Sequence, residues 1–434
     1  MLDNQNIFNH KKILVYGLGK SGLSAFKFLK KRNEIYLFDD RKVNDSKQAI
    51  KKNLITRQEL LKKNVDHIII SPGIDISKCS LKYYLKKNYK KINTDLDVFH
   101  DFFKKNKKIT ITGTNGKSTT ARILYEVLRD QNFDARIVGN IGNPMLLEKD
   151  ITNKTIFVVE ASSYQLEYSK LFKSNISVIL NISPDHLERH KTLKNYIRAK
   201  FKIVKNQTKK DYAILNMNNL YIKQEVKSQK FFPKLIKIYR YPDIKFLDNI
   251  NNPYFYSEGN RENISFIFEI AKILKIKKND LFKTLKNFKG LKYRQQVIFK
   301  STDLTIINDS KSTSFSSSVS ILKLMKNVSW IVGGLAKKGD KFPLQKKDCT
   351  NFKAYIYGKN KNTFICELKN IIKYESFTNL KFLIKKVFLD IKKSKNLKHK
   401  TILFSPAAAS FDGFKNFEER GKYFNNLIKK NNNV

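Results

Sequence analysis

The stretch at residues 108–122, KITITGTNGKSTTAR, restricts the fold of this chain more than any other. A β-branched run, Ile109 to Thr112, gives way at Gly113 to a glycine-containing loop, and a helix-compatible segment opens near Lys117. Strand, loop and helix in that order predict an α/β layer whose loop cradles phosphate. Backbone N–H groups around Gly113 and Gly116 converge on an anion only where no Cβ blocks it, and a helix N-terminus adds partial positive charge. Gly113, Thr114, Asn115, Gly116, Lys117, Ser118 and Thr119 are therefore the expected nucleotide contacts, with Lys117 on the β/γ-phosphates and Ser118 or Thr119 on Mg²⁺. The string departs from G-x-x-x-x-G-K-[ST], which needs glycine where Ile111 stands. A plain glycine-rich turn between strand and helix is the alternative.

At 434 residues, 41% of them hydrophobic, the chain exceeds one ordinary core, and roughly two to four domains are expected. The formal charge of +48, from 86 basic and 38 acidic residues, invites a nucleic-acid partner. Lysine, however, is spread along the whole chain with Asn and Ile instead of gathering on one arm or face. That pattern predicts non-specific attraction to polyanions and no specific nucleic acid. Cys79, Cys349 and Cys366 stand far apart without a C-x-x-C pair, which argues against a disulfide framework and a zinc site. No apolar run reaches the length of a membrane span, and MLDNQNIFNHKK lacks a signal-peptide core. No membrane insertion and a cytoplasmic location are the expectation.

Upstream, a strand at residues 12–16 runs into Gly17-Leu18-Gly19-Lys20-Ser21-Gly22 and a helix over 23–29. A second strand, 34–38, ends at Asp39-Asp40-Arg41, where a dinucleotide fold places its ribose-binding acid, and a third, 67–70, closes on Ser71-Pro72-Gly73-Ile74. This predicts a parallel sheet with a ligand at its strand C-termini. A nicotinamide oxidoreductase would explain residues 17–22 but leave 113–119 idle.

Downstream of the phosphate loop, residues 136–143 form a strand ending in small and amide residues, where Asn140 either meets a sugar or phosphate or is a turn Asn. An apolar run at 155–159 delivers Glu160, followed by Ala161-Ser162-Ser163-Tyr164-Gln165. A carboxylate at the tip of a buried strand suits Mg²⁺, which takes oxygen ligands. A strand at 176–181 closes on Ser183-Pro184-Asp185-His186. Lys200, in Tyr196-Ile197-Arg198-Ala199-Lys200, reads by itself as a solvated lysine of a Lys-rich helix. A strand is expected at 211–216, irregular surface strands and loops at 227–250, and a helix at 264–274 preceded by Gly259-Asn260-Arg261-Glu262-Asn263.

In the last third, a turn at Gly290-Leu291-Lys292-Tyr293-Arg294 precedes a strand at 304–307 and the string Asn308-Asp309-Ser310-Lys311-Ser312-Thr313, which on its own could be a helix N-cap. A strand at 329–332 leads into Gly333-Gly334-Leu335-Ala336-Lys337-Lys338-Gly339-Asp340, a glycine turn presenting ammonium groups. A strand is expected at 353–357 and a helix at 378–389 capped by Thr378. The final strand, 401–404, opens into Ser405-Pro406-Ala407-Ala408-Ala409-Ser410-Phe411-Asp412, then Phe414, Asn416-Phe417-Glu418 and Arg420-Gly421; the polar tail 429–434 is expected to fray.

The loop Gly-Thr-Asn-Gly-Lys-Ser-Thr resembles that of the Mur ligase and folylpolyglutamate synthetase superfamily, and the motif order along the whole chain resembles the Mur ligases. The Ser-Pro-Gly-Ile turn, the Asn-Asp-Ser-Lys-x-Thr string and the 405–421 string resemble the branch that adds D-glutamate. The resemblance implies an α/β chain of three domains. They are a Rossmann-like N-terminal domain at 1–93 that binds the UDP substrate, a central P-loop ATPase-type domain with a mostly parallel sheet at 94–290, and a Rossmann-like C-terminal domain at 291–434 that binds D-glutamate and closes over ATP.

Carried over residue by residue, the resemblance implies that Lys20, Ser21, Asp39, Asp40, Arg41, Ser71 and Gly73 face UDP, with Asn140, Ser162, Gln165 and His186 also turned to that substrate. Lys200 matches the Lys of a Tyr-x-x-Ala-Lys segment that CO₂ carbamylates into an oxygen donor for the second of two Mg²⁺ ions. Ser118, Glu160 and His186 match the other metal positions, and Lys117, Glu160, His186 and Lys200 form the implied catalytic set. Asn263 matches an Asn that approaches adenine, although the His of the family's Gly-His-Asn-x-x-Asn segment is missing. Arg294, Asp309 and Lys311 match ATP-facing positions, while Tyr293 and Gln296 replace the usual His and Glu. Thr313, Lys337, Ser410 and Phe417 match D-glutamate contacts; ungapped matching favours Lys337 over Lys338, and Gly413 replaces a usual Gln. The implied activity is ATP-driven amide formation between UDP-N-acetylmuramoyl-L-alanine and D-glutamate through an acyl phosphate, by a monomer. A sister amino-acid ligase would share the chemistry, a folylpolyglutamate synthetase would lack the first domain, and a polyanion-binding protein would explain only the charge.

Overall fold

The computed structural model describes residues 6–41, 48–323, 325–337, 339–393 and 399–431. Sixteen strands in the described residues build three sheets. The first holds β1 (Lys12–Tyr16), β2 (Glu34–Phe38), β3 (His67–Ile70) and β4 (Ile92–Asn93) in the order β2-β1-β3-β4. The second holds β5 (Lys107–Thr112), β6 (Ala135–Gly139), β7 (Ile156–Glu160), β8 (Ile176–Ile179), β9 (Tyr212–Asn216) and β10 (Lys234–Ile238) in the order β10-β9-β8-β5-β7-β6. The third holds β11 (Gln296–Lys300), β12 (Leu304–Asn308), β13 (Val328–Gly333), β14 (Lys353–Tyr357), β15 (Lys373–Ser376) and β16 (Lys400–Phe404) in the order β11-β12-β16-β13-β14-β15. Every pairing is parallel except β11 with β12. This is the α/β architecture with mostly parallel sheets expected from the alternation of apolar runs and helices.

The chain divides into two compact units, Met1–Asn251 with Arg261–Asn287, and Asn252–Asn260 with Phe288–Val434. In the first unit one continuous core runs under both sheets, from Ile13, Val15 and Phe26 through Leu96 and Phe99 to Phe157, Val159 and Ile179. In the second, the indole of Trp330 is fully buried, stacks on Phe342 at 5.5 Å and donates Nε1–H to Ser405 O at 2.8 Å.

In the first two sheets, successive strands leave in opposite directions beside β1 and β5, the switch points at which ligands bind outside the strand C-termini of open α/β sheets. The loops 17–22 and 113–116 stand at those places.

Several local readings change, among them the helix expected at 264–274, which begins at Glu258 and takes in residues 259–263. The segment 227–250 contains one of the expected surface strands, β10, which pairs in parallel with β9 at the edge of its sheet, but also a short helix, Ile244–Asp248, that was not expected. β11 was not visible in the sequence, since only alternate residues of QVIFK are partly covered. The helix expected from Thr378 begins at Leu380 and runs to Lys393; Asn379 Oδ1, not Thr378, accepts from Phe382 N at 3.1 Å. The last helix, Phe417–Asn431, continues through Lys429 and Lys430, because Leu427 and Ile428 are buried beside them; the remainder of the tail lies outside the described residues. Among the described residues no helix is long and apolar enough to cross a membrane.

Candidate active site

The phosphate loop joins β5 to the helix Lys117–Asp130 through Gly116, which caps that helix with φ +82°. A Cβ at Gly116 would stand 2.2 Å from Asn263 Oδ1, so glycine is required both by backbone conformation and by space. Asn263, 4% exposed, also accepts from Thr120 Oγ1 at 3.1 Å, which places its side chain beneath the loop. Lys117 folds back and donates to Gly113 O at 2.9 Å and Thr114 O at 2.8 Å. Asn181, just past β8, clamps the loop from the other side: its carbonyl accepts from Thr114 N at 2.9 Å and its Oδ1 from Asn115 N at 2.8 Å. Sequence reasoning saw Asn181 only as the end of a strand.

Lys200 departs most from its bare sequence reading. It is 1% exposed, lies 4.6 Å above the Tyr196 ring, and donates to Gly113 O at 2.7 Å. Two lysines thus meet on one loop carbonyl. Burial drives the Lys200 amine well below the ordinary lysine range; the charge of Lys117 adds to the effect, and Asp185 and Glu160 oppose it. The lysine that composition assigns to a solvated face is therefore buried beside the loop, where its uncharged form is favoured.

Glu160 ends β7, pairs in register with Ile111 of β5, and is 1% exposed. Asn140 is tied to this strand tip, since its Nδ2 donates to Glu160 Oε1 at 2.8 Å while its backbone N donates to Glu160 O at 2.9 Å. Glu160 Oε2 is buried with no hydrogen-bond partner. A buried carboxylate oxygen left bare is costly unless a cation meets it, and this oxygen fits Mg²⁺. Among the described residues no three His, Cys, Asp or Glu side chains form a metal cage. His186 has φ +53°, is 45% exposed at its side chain, and sits 3.4 Å from Asp185 and 3.6 Å from Glu188, with Tyr164 at 4.9 Å between ring centres.

Ser162 and Gln165 form a capping box at the start of the helix Ser163–Glu167, so the amide oxygen of Gln165 is engaged within the turn. At the tip of the first sheet, Ser71 Oγ donates to Gly17 O at 2.6 Å, and a Cβ at Gly22 would fall 1.8 Å from that same oxygen. Asp39 accepts from Leu18 N at 2.6 Å and Arg41 N at 2.9 Å, tying β2 to the glycine loop. Asp40 accepts from Tyr16 Oη at 2.7 Å and from Ser80 Oγ. Lys20, Arg41 and Gly73 are exposed at this rim and Ser21 is half-buried.

In the second unit, Asp309 accepts from Gln295 N at 3.1 Å and from Ser405 Oγ at 2.8 Å, and burial pushes its carboxyl up to about 7. Lys311 Nζ lies 3.9 Å above the Phe417 ring. The replacements are accommodated locally: Tyr293 N donates to Gln296 Oε1 at 3.1 Å, and the Tyr293 ring fills the space where a Cβ on Gly421 would stand, 2.4 Å away. Ser410 is buried next to the antiparallel bridge Leu335–Ala409, while Thr313 and Lys337 are exposed. Lys338, the alternative to Lys337, lies outside the described residues. Arg420, fully buried, donates to Ser310 Oγ, Ser310 O and Ala408 O, binding the 308–313 string to the 405–421 string. The sequence carried these as separate motifs.

Three largely parallel sheets, with a glycine loop and two converging lysines on the second, define a phosphate-loop α/β protein. The model of the Mur ligase middle domain matches residues 111–267, and that of the MurD-like N-terminal domain of Mur ligases matches residues 11–93. The UDP-N-acetylmuramoylalanine–D-glutamate ligase of Rickettsia bellii (strain RML369-C) is 34% identical, with 96% of this chain and 97% of that protein covered. The chain belongs to the Mur ligase family. Its fold is also similar to two crystal structures from Thermotoga maritima. One is UDP-N-acetylmuramate-alanine ligase MurC, with TM-score 0.57, 16% identity and 97% and 100% of the chains covered. The other is MurF ligase in complex with ADP, with TM-score 0.56, 14% identity and 99% and 98% covered.

Proposed function

We propose that this chain joins D-glutamate to UDP-N-acetylmuramoyl-L-alanine in an ATP-dependent reaction that releases ADP and phosphate, a step of peptidoglycan precursor synthesis. The observation that carries this reading is the meeting of Lys117 and the buried Lys200 on Gly113 O beside the bare oxygen of Glu160, in a chain one-third identical to a D-glutamate ligase over almost its full length.

An amide does not form from a free carboxylate in water without activation. The substrate carboxylate attacks the γ-phosphorus of ATP, ADP leaves, and an acyl phosphate results. The D-glutamate amine then attacks the acyl carbon, phosphate leaves, and the nitrogen loses its proton. With phosphate in the loop, Lys117 exchanges its two loop carbonyls for phosphate oxygens and neutralises charge on the transferring group. Ser118, Glu160, His186 and carbamylated Lys200 would hold Mg²⁺, which supplies Lewis-acid stabilisation of the phosphoryl oxygens. Residues 1–93 are assigned to the UDP moiety, with Lys20, Ser21, Arg41 and Gly73 at its rim. Residues 94–290 are assigned to ATP, and 291–434 to D-glutamate through Thr313, Lys337, Ser410 and Phe417, with Arg294, Asp309 and Lys311 serving the nucleotide. A monomer in the cytoplasm belongs to the same reading.

Phosphate release from ATP·Mg²⁺ should require both UDP-N-acetylmuramoyl-L-alanine and D-glutamate, and Lys117→Ala should abolish it. Release without either acceptor would reject the ligase assignment.

A further inference from the structure

The clamp on the phosphate loop has a backing drawn from three further segments of the chain. Asn181 Nδ2 donates to Glu262 Oε1, and the other oxygen of that carboxylate accepts from Tyr241 Oη at 3.2 Å. Tyr241 Oη in turn accepts from Asn216 Nδ2 at 2.8 Å, and Asn216 Nδ2 also donates to Leu180 O at 2.9 Å. The four residues come from the end of β8, the tip of β9, the segment after β10 and the helix Glu258–Ile273, all within the first unit. The tyrosine hydroxyl keeps its proton, because burial first and the Glu262 charge second push it up to about 12.

The direction of these bonds matters. An ionised carboxylate only accepts, so Glu262 takes the NH₂ side of the Asn181 amide and leaves Oδ1 facing the loop, where it holds Asn115 N at 2.8 Å. Reversing the amide would set an NH₂ group against the Asn115 N–H and a carbonyl against the carboxylate, two repulsive contacts at once. Glu262 thereby helps hold Asn181 Oδ1 on Asn115 N, an orientation that Nδ2 also favours by donating to Asn115 O at 3.4 Å, while Thr114 N is held by the Asn181 main-chain carbonyl. Its place, the second variable position of the family's Gly-His-Asn-x-x-Asn segment, is one for which the resemblance implies no role.

We propose that Glu262 is a positioning residue for the nucleotide: acting through the orientation of Asn181 and braced by Tyr241, it sets the phosphate-binding shape of residues 113–116. This rests on the reading of the loop as an ATP site. Calorimetric titration with ADP·Mg²⁺ tests it, on wild type, Asn181→Ala, Glu262→Ala and the double variant, with UDP-N-acetylmuramoyl-L-alanine binding measured in parallel. Loss of a charge-assisted hydrogen bond predicts about tenfold weaker ADP binding in each single variant. Because the two act in series, the double variant should be about as weak as either single and not about a hundredfold weaker.

Binding of the UDP substrate should stay within about twofold, a readout that general loosening of the fold would move. Glu262→Gln, whose Oε1 still accepts from Asn181, should recover part of the loss, and it carries the test if the alanine variants misfold. Single variants that bind ADP like wild type, or effects that multiply in the double, overturn the proposal while leaving the ATP site standing. A wild-type chain that binds no ADP overturns both.

Discussion

At Gly116 the backbone turns into the left-handed region, and Asn263, 4% exposed, occupies the space a side chain would need. Gly116→Ala should destabilise the protein by about 1–3 kcal/mol in urea unfolding and abolish ADP binding, because the strain falls on the loop itself. Wild-type stability would show that the loop relaxes freely. Lys200 makes the opposite kind of demand, since its environment favours loss of its charge. A carbamate on Lys200 should give a carbonyl resonance in ¹³C spectra of protein equilibrated with ¹³C-bicarbonate, absent from Lys200→Ala. Identical spectra from the two proteins would rule the carbamate out.

At the scale of elements, the helix Leu380–Lys393 begins one residue later than its capping pattern suggests. Asn379→Ala should cost about 1 kcal/mol of stability, as loss of an N-cap does, whereas Thr378→Ala should stay within about 0.5 kcal/mol. The reverse order in thermal or urea unfolding would restore Thr378 as the cap. Strands buried on both faces, such as IFVVE of β7 and HIII of β3, were legible because continuous apolar runs have few other uses in a chain this charged. Edge strands were less so: β10, with its exposed lysines, was legible only as part of an irregular surface segment, and β11 exposes Val297 and Phe299, so its apolar residues mark no buried face. The candidate site divides along the same line. Glycines and Lys117 announced a phosphate loop by spacing, but Asn181, Glu262 and Tyr241 meet only through tertiary structure and have no local signature.

At the scale of the whole molecule, the excess of lysine leaves a buried trace in the first unit. Lys108 is 1% exposed, and burial lowers its amine to about 7; two N–H bonds of a neutral amine suffice for its acceptors, Phe103 O and Asn106 O. Neighbouring His100 is lowered to about 3, by burial first and then by Lys108, Lys104 and Lys173. Both groups bind protons more readily unfolded than folded, so stability rises with pH wherever the unfolded chain is the more protonated. For His100 that window runs from about 3 to about 6.5, and for Lys108 from about 7 to about 10.5, at roughly 1.4 kcal/mol per pH unit for each group. Urea midpoints should therefore climb across both windows, with the lower climb made shallower in His100→Leu and the upper in Lys108→Met, since His190 and Lys200 are lowered over the same ranges. Flat profiles in the wild type would show that neither group is held neutral.

The most direct test of the central claim is amino-acid selectivity. Phosphate release from ATP·Mg²⁺ and UDP-N-acetylmuramoyl-L-alanine would be compared for D-glutamate, L-glutamate, L-lysine, meso-diaminopimelate and L-alanine. The account predicts release with D-glutamate alone, together with a product heavier by one glutamyl residue. Release with another of these amino acids and none with D-glutamate would contradict it.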